Sequence, residues 1–188
     1  MSKHVKGRAM YFELNIRPLT IDDIDDEYCS WYANDDGHLD YFTGSGRKFT
    51  KDVLIKDYRK GIETNHWHYF LVEDISRSVK IGNVKIGPID KKNKTSDLVC
   101  LIGNRDYVGK ELAHAIISKA NKIAFEQFDI RRLHGGMYST NLASIKAYKR
   151  AGWKIEAVLK GYYLHNGEAI DRVCVCCLNP KYFSRNKS

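Results

Sequence analysis

The chain has 188 residues, of which 43% are hydrophobic and 29% charged, a composition that is typical of globular proteins and excludes a largely disordered chain. Its formal net charge of +8 favours anionic partners, but the basic residues are spread along the sequence without the clustered pattern of a nucleic-acid site. No apolar run reaches the roughly 18 residues that a membrane span requires.

The N-terminal third predicts one strand and two helices. Alternating apolar and polar residues favour a strand over residues 11–17. One helix is predicted over residues 21–33, opened by the capping residue Thr20, and another over residues 51–62. Four apolar residues mark the expected inner side of the second helix: Val53, Ile55, Tyr58 and Ile62. The glycine-bearing residues 38–48 are expected to form a loop.

A strand, a glycine-bearing turn and a helix form the middle of the chain. A hairpin of strands at 68–73 and 80–87 leads into a third strand at 97–102, and apolar residues at three- and four-residue steps then predict a helix over 109–128. Such a turn aims unpaired backbone N–H groups and the positive end of the helix dipole at one point, where a phosphate can bind. Neither GxxxxGK[ST] nor GxGxxG is present, so a purely structural turn remains the alternative.

The last third predicts a strand at 131–138, a helix at 140–152 and a terminal hairpin of strands at 153–164 and 168–178. An Asn-Gly pair joins the two final strands and is the strongest short-range hairpin signal. We therefore expect an α+β fold, with a mixed, mostly antiparallel sheet and about four helices.

The domain and its compartment follow from length and cysteine usage. We expect one domain over residues 1–188, with loose ends at 1–10 and 180–188. A cytoplasmic location is predicted because no signal-peptide pattern opens the sequence and the five cysteines resemble apolar packing residues of a reducing compartment. No paired cysteine and histidine spacing suggests a metal site, so none is expected.

A resemblance to a known family begins at residues 141–153. Their pattern is Asn-x-x-Ser-x-x-x-Tyr-x-x-x-Gly-aromatic, and it resembles the helix and turn that close the acetyl-CoA site in the GNAT superfamily of N-acetyltransferases. The predicted element order over residues 13–178 agrees with that fold. Residues 14–23 and 81–88 are similar to the RimJ/RimL-type branch, which acetylates ribosomal-protein N-termini and amino groups of nucleotide-linked sugars.

The resemblance implies acetyl-CoA as a co-substrate, and a pyrophosphate loop of the form Q/R-x-x-G-x-G/A, often embedded as Tyr-Trp-Gly-Lys-Gly-Tyr-Gly/Ala. Gly109, Lys110 and Ala113 fit the longer form, whereas Val108 stands in place of the Q/R and Glu111 in place of the middle glycine. A carboxylate at position 111 would repel a pyrophosphate unless the side chain points away. The implied cofactor-binding residues are Leu101, Ile102, Gly103, Val108, Gly109, Lys110, Ala113, Asn141 and Ser144.

The resemblance also implies catalytic roles. A backbone N–H of Leu101 or Ile102 would polarise the acyl carbonyl, Asn141 would bond the pantetheine arm, and Tyr148 would protonate the leaving thiolate. Asp97 is the leading candidate for the base that deprotonates the amine. The alternatives are water and three other side chains: His68, Glu73 and His134.

The expected function is direct acetyl transfer to a primary amine. The leading acceptor is a nucleotide-linked amino sugar, because of the branch resemblance, the basic charge and four aromatic residues that could stack a base or sugar: Trp67, Tyr69, Tyr162 and Tyr163. One alternative is a protein N-terminus, to which the acid-rich residues 21–27 could contribute, and another is a non-catalytic acyl-CoA-binding module. Exposed strand edges suggest a homodimer.

Overall fold

A computed structural model describes residues 12–33, 37, 39–42 and 47–183. Its strands are β1 (Leu14–Pro18), β2 (His68–Asp74), β3 (Val79–Ile86), β4 (Thr95–Ile102), β5 (Arg132–Tyr138), β6 (Lys154–His165) and β7 (Glu168–Leu178). They form one sheet in the order β1-β2-β3-β4-β5-β7-β6, in which only β4 and β5 run parallel. The predicted mixed, mostly antiparallel sheet is confirmed.

Helices cover both sides of this sheet. They are α1 (Asp26–Ser30), α2 (Lys51–Thr64), α3 (Ala113–Gln127), α4 (Leu142–Arg150) and α5 (Pro180–Phe183), with short 3-10 turns at Ile21–Asp23 and Arg105–Tyr107. Within the described ranges, none of these helices has the length and apolarity that crossing a bilayer demands.

Because successive side chains of a strand point to opposite faces of the sheet, the sheet packs against two separate hydrophobic cores. On β2, Phe70 and Val72 pack in the core that includes residues of α3 and α4, whereas Leu71 packs on the opposite side with residues of α1 and α2. We call these sides the α3 face and the α2 face. On β4, Leu98 is buried on the α3 face, so Asp97 beside it belongs to the α2 face.

The first predicted helix is broken into two short pieces, and its own aspartates explain the break. Both carboxylate oxygens of Asp23 lie 2.7 Å from the guanidinium of Arg17, and one of them also accepts from the Thr20 hydroxyl. The carboxylate of Asp25 then caps a new helix by accepting from the Tyr28 amide at 2.9 Å. The prediction of one continuous helix over 21–33 is wrong because these local bonds compete with it.

Two other predicted helices differ in detail. Ile62, expected on the inner side of α2, is 49% exposed, and the buried positions are Leu54 and Gly61. Helix α3 begins four residues later than predicted because Gly109 (φ 75°) and Glu111 (φ 58°) are left-handed, a conformation that a right-handed helix cannot include.

The chain ends were only partly predicted. Residues 180–183 were expected to be loose, but they form α5, which is held by Asp129 through Lys181 at 2.7 Å and Tyr182 at 2.8 Å. The expected terminal hairpin is confirmed, with Asn166 (φ 51°) and Gly167 (φ 83°) both left-handed as its tight turn requires. Predictions for residues 1–11, 184–188 and the glycines at 44 and 46 lie outside the described residues.

A buried carboxylate ties the β2–β3 turn to the segment before α3. Asp74 is fully buried and accepts hydrogen bonds from Ser76 at 2.6 Å, Arg77 at 2.5 Å and the Tyr107 hydroxyl at 3.2 Å. Burial opposes its ionisation, but the bonds from Ser76 and Arg77 outweigh burial and lower the pKa of Asp74 to about 2. The turn and the loop around Tyr107 are therefore held together by one ionised group.

We predict that Asp74→Asn lowers the free energy of unfolding by roughly 2–3 kcal/mol, because an amide cannot replace a charged acceptor of several hydrogen bonds. A depressed folded pKa stabilises the protein above about pH 4, and this contribution is lost as the pH falls towards 2. Urea unfolding between pH 7 and 2.5 should show a smaller loss of stability in the variant than in the wild type, since other paired carboxylates such as Asp23 remain in both. Glu126→Gln, at an exposed carboxylate of α3, is the control and should behave as wild type. A wild-type free energy of unfolding for Asp74→Asn would contradict the proposed role.

Candidate active site

The two central strands separate after a short paired segment. Parallel pairing of β4 and β5 joins Thr95 with Arg132, Ser96 with Leu133 and Asp97 with His134, and goes no further. On its other side, β4 stays paired with β3 as far as Ile102. A wedge-shaped gap therefore opens beyond Asp97, with one edge formed by the second half of β4.

The register decides which amides of β4 face this gap. Gly103 donates to the Ile81 carbonyl at 3.0 Å, so its amide points towards β3. Because amides two residues apart in a strand point the same way, Leu101 also faces β3, whereas Cys100 and Ile102 face the gap. The Ile102 amide therefore faces the gap, as the predicted carbonyl-binding role requires, whereas the Leu101 amide faces β3. The amide of Cys100 is a further candidate for this role. The sequence reasoning did not identify it, because one sequence does not reveal pairing register.

Gly103 has a packing role that the sequence reasoning did not identify. A Cβ added at Gly103 would lie 2.1 Å from Cγ of Trp31, so only glycine allows this ring to lie against β4. Its amide is already bound to β3. The structure thus shows a packing role for Gly103, and its predicted contact with the cofactor stays a prediction.

A cluster of free backbone amides lies beyond β4, at the start of α3. Within the described part of the chain, five N–H groups have no protein acceptor: those of Gly109, Glu111, Leu112, Ala113 and His114. The N-cap residue Leu112 supplies no side-chain cap, so the positive end of α3 stays open to an anion. Val108 and Lys110 were predicted in this loop, but their amides are bound to Arg105 and Tyr107.

Glu111 sits among these amides with its carboxylate turned away from them. Its side chain reaches α4, where the oxygens lie 3.1 Å from Arg150 and 3.4 Å from Lys146. Arg150 above all, with Lys146, lowers the pKa of this carboxyl and keeps it ionised. The left-handed backbone at 111 is the conformation that favours glycine, and a glutamate adopts it here while its charge is compensated elsewhere.

Tyr148 on α4 reaches the gap from the α3 face. Its buried hydroxyl donates to the Leu98 carbonyl at 2.8 Å, and its ring meets Trp153 edge-on at 4.8 Å. Burial raises the pKa of Tyr148 well above its usual range, so the hydroxyl retains its proton. The predicted acid is therefore protonated and lies at the gap, although its hydrogen bond is directed to the strand.

The Asn-x-x-Ser part of the motif caps a helix. Oδ1 of Asn141 accepts from the Ser144 amide at 3.1 Å and opens α4. This cap leaves the Nδ2 amide of Asn141 as the group that could bond a ligand. The predicted roles of Asn141 and Ser144 towards a cofactor remain predictions.

Asp97 lies at the apex of the gap, opposite His134. Its Oδ1 accepts from the Leu98 amide at 2.7 Å. Burial raises the pKa of Asp97, and the nearby imidazole of His134, the Leu98 amide and the cations Arg172 and Lys85 oppose that rise. A carboxylate that ionises closer to neutral pH at this position is suited to accept a proton.

Two alternative bases are placed elsewhere. His68 packs against Phe128 at 4.1 Å between ring centroids, on the α3 face. Glu73 pairs with Arg17 at 2.9 Å near the β1 edge of the sheet. Neither shares the apex, so only His134 among the alternatives lies beside Asp97.

Aromatic side chains form two groups on the α2 face. Tyr138 and Tyr163 stack at 4.1 Å, and Tyr41 contacts Tyr138 at 5.8 Å. Near β3, the rings of Trp67 and Tyr69 contact the ammonium of Lys85. The four rings that the sequence suggested for stacking a base or sugar are thus divided between the groups, Trp67 and Tyr69 here and Tyr162 and Tyr163 in the other. Among the described residues, no group of three or more His, Cys, Asp or Glu side chains has an arrangement that could hold a metal ion.

Comparison with known proteins agrees with this geometry. Residues 13–154 match the family model of the acetyltransferase (GNAT) domain. A probable N-acetyltransferase of Bacillus subtilis, YjcK, is 22% identical over 184 residues, which cover 94% of this chain and 97% of that protein.

Solved structures share the fold. The spermidine N-acetyltransferase of Vibrio cholerae, in complex with CoA and spermine, superposes with a TM-score of 0.79 at 22% identity and covers 90% of this chain and 97% of its own. The same enzyme with manganese ions gives a TM-score of 0.74 at 22% identity, covering 93% and 97% of the two chains. Likeness at this level of identity establishes the fold.

We predict that Glu111→Gln changes the Kd for CoA by less than about twofold, because its carboxylate already faces α4. A carboxylate about 5 Å from a pyrophosphate would cost on the order of 1 kcal/mol even in water, or several-fold in affinity. Arg150→Gln should therefore weaken binding several-fold by releasing Glu111, and the double variant should recover part of the loss. Calorimetry with CoA measures all three, and several-fold tighter binding by Glu111→Gln alone would contradict the inferred orientation.

Proposed function

This chain belongs to the GNAT acetyltransferase family, and from that membership we propose that it acetylates the primary amine of a nucleotide-linked amino sugar. The coarser activity follows from the family: the protein is an acetyl-CoA-dependent N-acetyltransferase. The observation that carries the proposal is the gap beyond Asp97, which ends beside the uncapped start of α3. Acetyl-CoA needs both features, a gap for its thioester and an uncapped helix start for its pyrophosphate.

The residues at the gap fit acetyl-CoA. Free amides at the start of α3 would hold its pyrophosphate, and the Asn141 side chain would bond the pantetheine arm. The gap-facing amides of Cys100 and Ile102 would polarise the acyl carbonyl. When bound, the co-substrate supplies a thioester whose acyl carbon is open to attack by a neutral amine.

Proton transfer is assigned to two side chains on opposite faces of the sheet. Asp97, on the α2 face, would take a proton from the incoming ammonium, and its raised pKa suits that task. Tyr148, on the α3 face, would protonate the departing sulfur once its hydroxyl turns from the Leu98 carbonyl. No covalent bond to the protein is needed.

The acceptor proposal is supported by aromatic rings and by charge. Tyr163, which stacks on the buried Tyr138, and the exposed Tyr162 are aromatic rings beside the gap on which a base or sugar could lie. The V. cholerae neighbours act on spermidine, so a polyamine is the second candidate. A polycation needs uncompensated acids, whereas four aspartates near the α2 face are ion-paired: Asp23 with Arg17, Asp25 with Lys80, Asp26 with Lys51 and Asp57 with Arg47.

Ion pairing also weakens the case for a protein N-terminus, since three of the five acids in its expected binding element, residues 21–27, are paired: Asp23, Asp25 and Asp26. The family match favours an enzyme over a non-catalytic module. Finer points remain predictions: kinship with the RimJ/RimL branch, a single domain over residues 1–188, a cytoplasmic location and a homodimer.

We predict CoA release from acetyl-CoA in the presence of nucleotide-linked amino sugars, with a higher kcat/KM than for spermidine or for short peptides. Thiol release over a panel of these amines measures it, and mass spectrometry confirms N-acetylation. The matching N-acetylated sugar nucleotide is the control and should release no thiol. A clear preference for spermidine would overturn the acceptor and leave the activity standing.

We predict that Asp97→Asn lowers kcat/KM by about 10²–10⁴-fold and removes one acid limb of the pH profile. The wild type loses activity as the pH falls because the carboxylate is protonated, and a raised pKa moves this loss above about pH 4. Profiles with two amines of different pKa separate this limb from that of the acceptor. Glu73→Gln is the matched control, and an unchanged profile for Asp97→Asn would transfer the role to His134 or water.

A further inference from the structure

We propose that Lys85 and Arg172 form an anion-binding pair on the α2 face of the gap, which holds the acceptor by a phosphate or carboxylate group. This inference rests on the proposed function, because it names the chemical class of acceptor that the same site takes. The pair borders Asp97 from two sides, one cation on β3 and the other on β7.

Lys85 approaches from β3. It pairs across the ladder with Val99, so its side chain lies on the α2 face, diagonal to Asp97. Its ammonium sits 3.7 Å from the ring centroid of Trp67 and 5.2 Å from that of Tyr69. Within the described residues, no carboxylate lies at ion-pair distance from this half-buried charge.

Arg172 approaches from β7. Its Nε lies against β5, where a Cβ added at Gly136 would be only 2.0 Å away, and its guanidinium stacks on Tyr162 at 4.9 Å. Among the described residues, this Nε is the one buried side-chain nitrogen or oxygen without a hydrogen-bond partner. Leaving a buried donor unpaired is costly, and an anionic ligand that reaches this guanidinium would satisfy it.

Both cations act at the apex of the gap. Lys85 is diagonal to Asp97 across the β3–β4 ladder, and Arg172 lies against Gly136, two residues beyond the His134 that pairs with Asp97. Their charges oppose the rise that burial causes in the pKa of Asp97. Other cations of the α2 face have acid partners, as Arg17, Arg47, Lys51 and Lys80 do. Lys85 and Arg172 are instead held by rings, which orient a cation without neutralising it.

The two cations favour an acceptor that carries negative charge. Two desolvated cations beside the base repel a polyamine and attract an amine that also carries an anionic group. A diphosphate linking a sugar to a nucleoside would accept from the planar guanidinium and the ammonium together. Packing of cations on rings for stability alone is the competing explanation, and it predicts no dependence on ligand charge.

The test uses inorganic pyrophosphate and the full-length protein saturated with CoA, so that the amides at α3 are already occupied. Calorimetry should show pyrophosphate binding to the wild type, weakened about tenfold or more in Arg172→Gln and in Lys85→Gln. Arg131→Gln is the matched control, since Arg131 also stacks on a ring, that of Phe183 at 5.6 Å. No binding by the wild type, or equal binding by all variants, would overturn the proposal.

A kinetic comparison separates this inference from the proposed function. Glucosamine and its 1-phosphate differ only by the anionic group, and both variants should raise KM for the phosphate about tenfold more than they raise KM for glucosamine. Equal losses on both amines would indicate a structural role and reject the pair. Pyrophosphate binding without acetylation of any amine would keep the anion site and reject the proposed function.

Discussion

The geometry of the candidate site depends on the point at which hydrogen bonding between β4 and β5 ends. Parallel pairing between β4 and β5 ends at Asp97, and the strand beyond it presents main-chain groups to a gap. Unpaired buried backbone groups are costly, and here two side chains bond them. The Asp97 carboxylate accepts a hydrogen bond from the Leu98 amide, and the Tyr148 hydroxyl donates one to the Leu98 carbonyl. The same two side chains are the candidates for proton transfer, so stability and chemistry meet at one residue of β4.

In the proposed mechanism, the sheet divides the reaction between its two faces. On the α3 face lie Tyr148 and the open start of α3, where a thioester and its phosphates would be held. On the α2 face lie Asp97 and the two cations that carry no acid partner. An acceptor and a donor that enter from opposite sides meet only where the strands have parted, which explains how one gap can serve both.

Local signals allowed much of this to be predicted from the sequence. The terminal hairpin depended on its Asn-Gly turn, and the strand-loop-helix unit on apolar periodicity, and both are present. Long-range geometry could not be predicted in this way. Whether Leu101 or Cys100 faces the gap depends on strand register, and the orientation of Glu111 depends on Arg150, which lies 39 residues later. The unpaired state of Arg172 is visible only once every neighbour has been placed.

The bonds around Asp74 also bear on how the donor is received. This carboxylate joins the β2–β3 turn to Tyr107, which directly precedes the amide-bearing loop. Because this anchor restrains the loop before a ligand binds, association would cost little backbone conformational entropy. We therefore expect the main chain of this amide-bearing loop to rearrange little when a phosphate group binds.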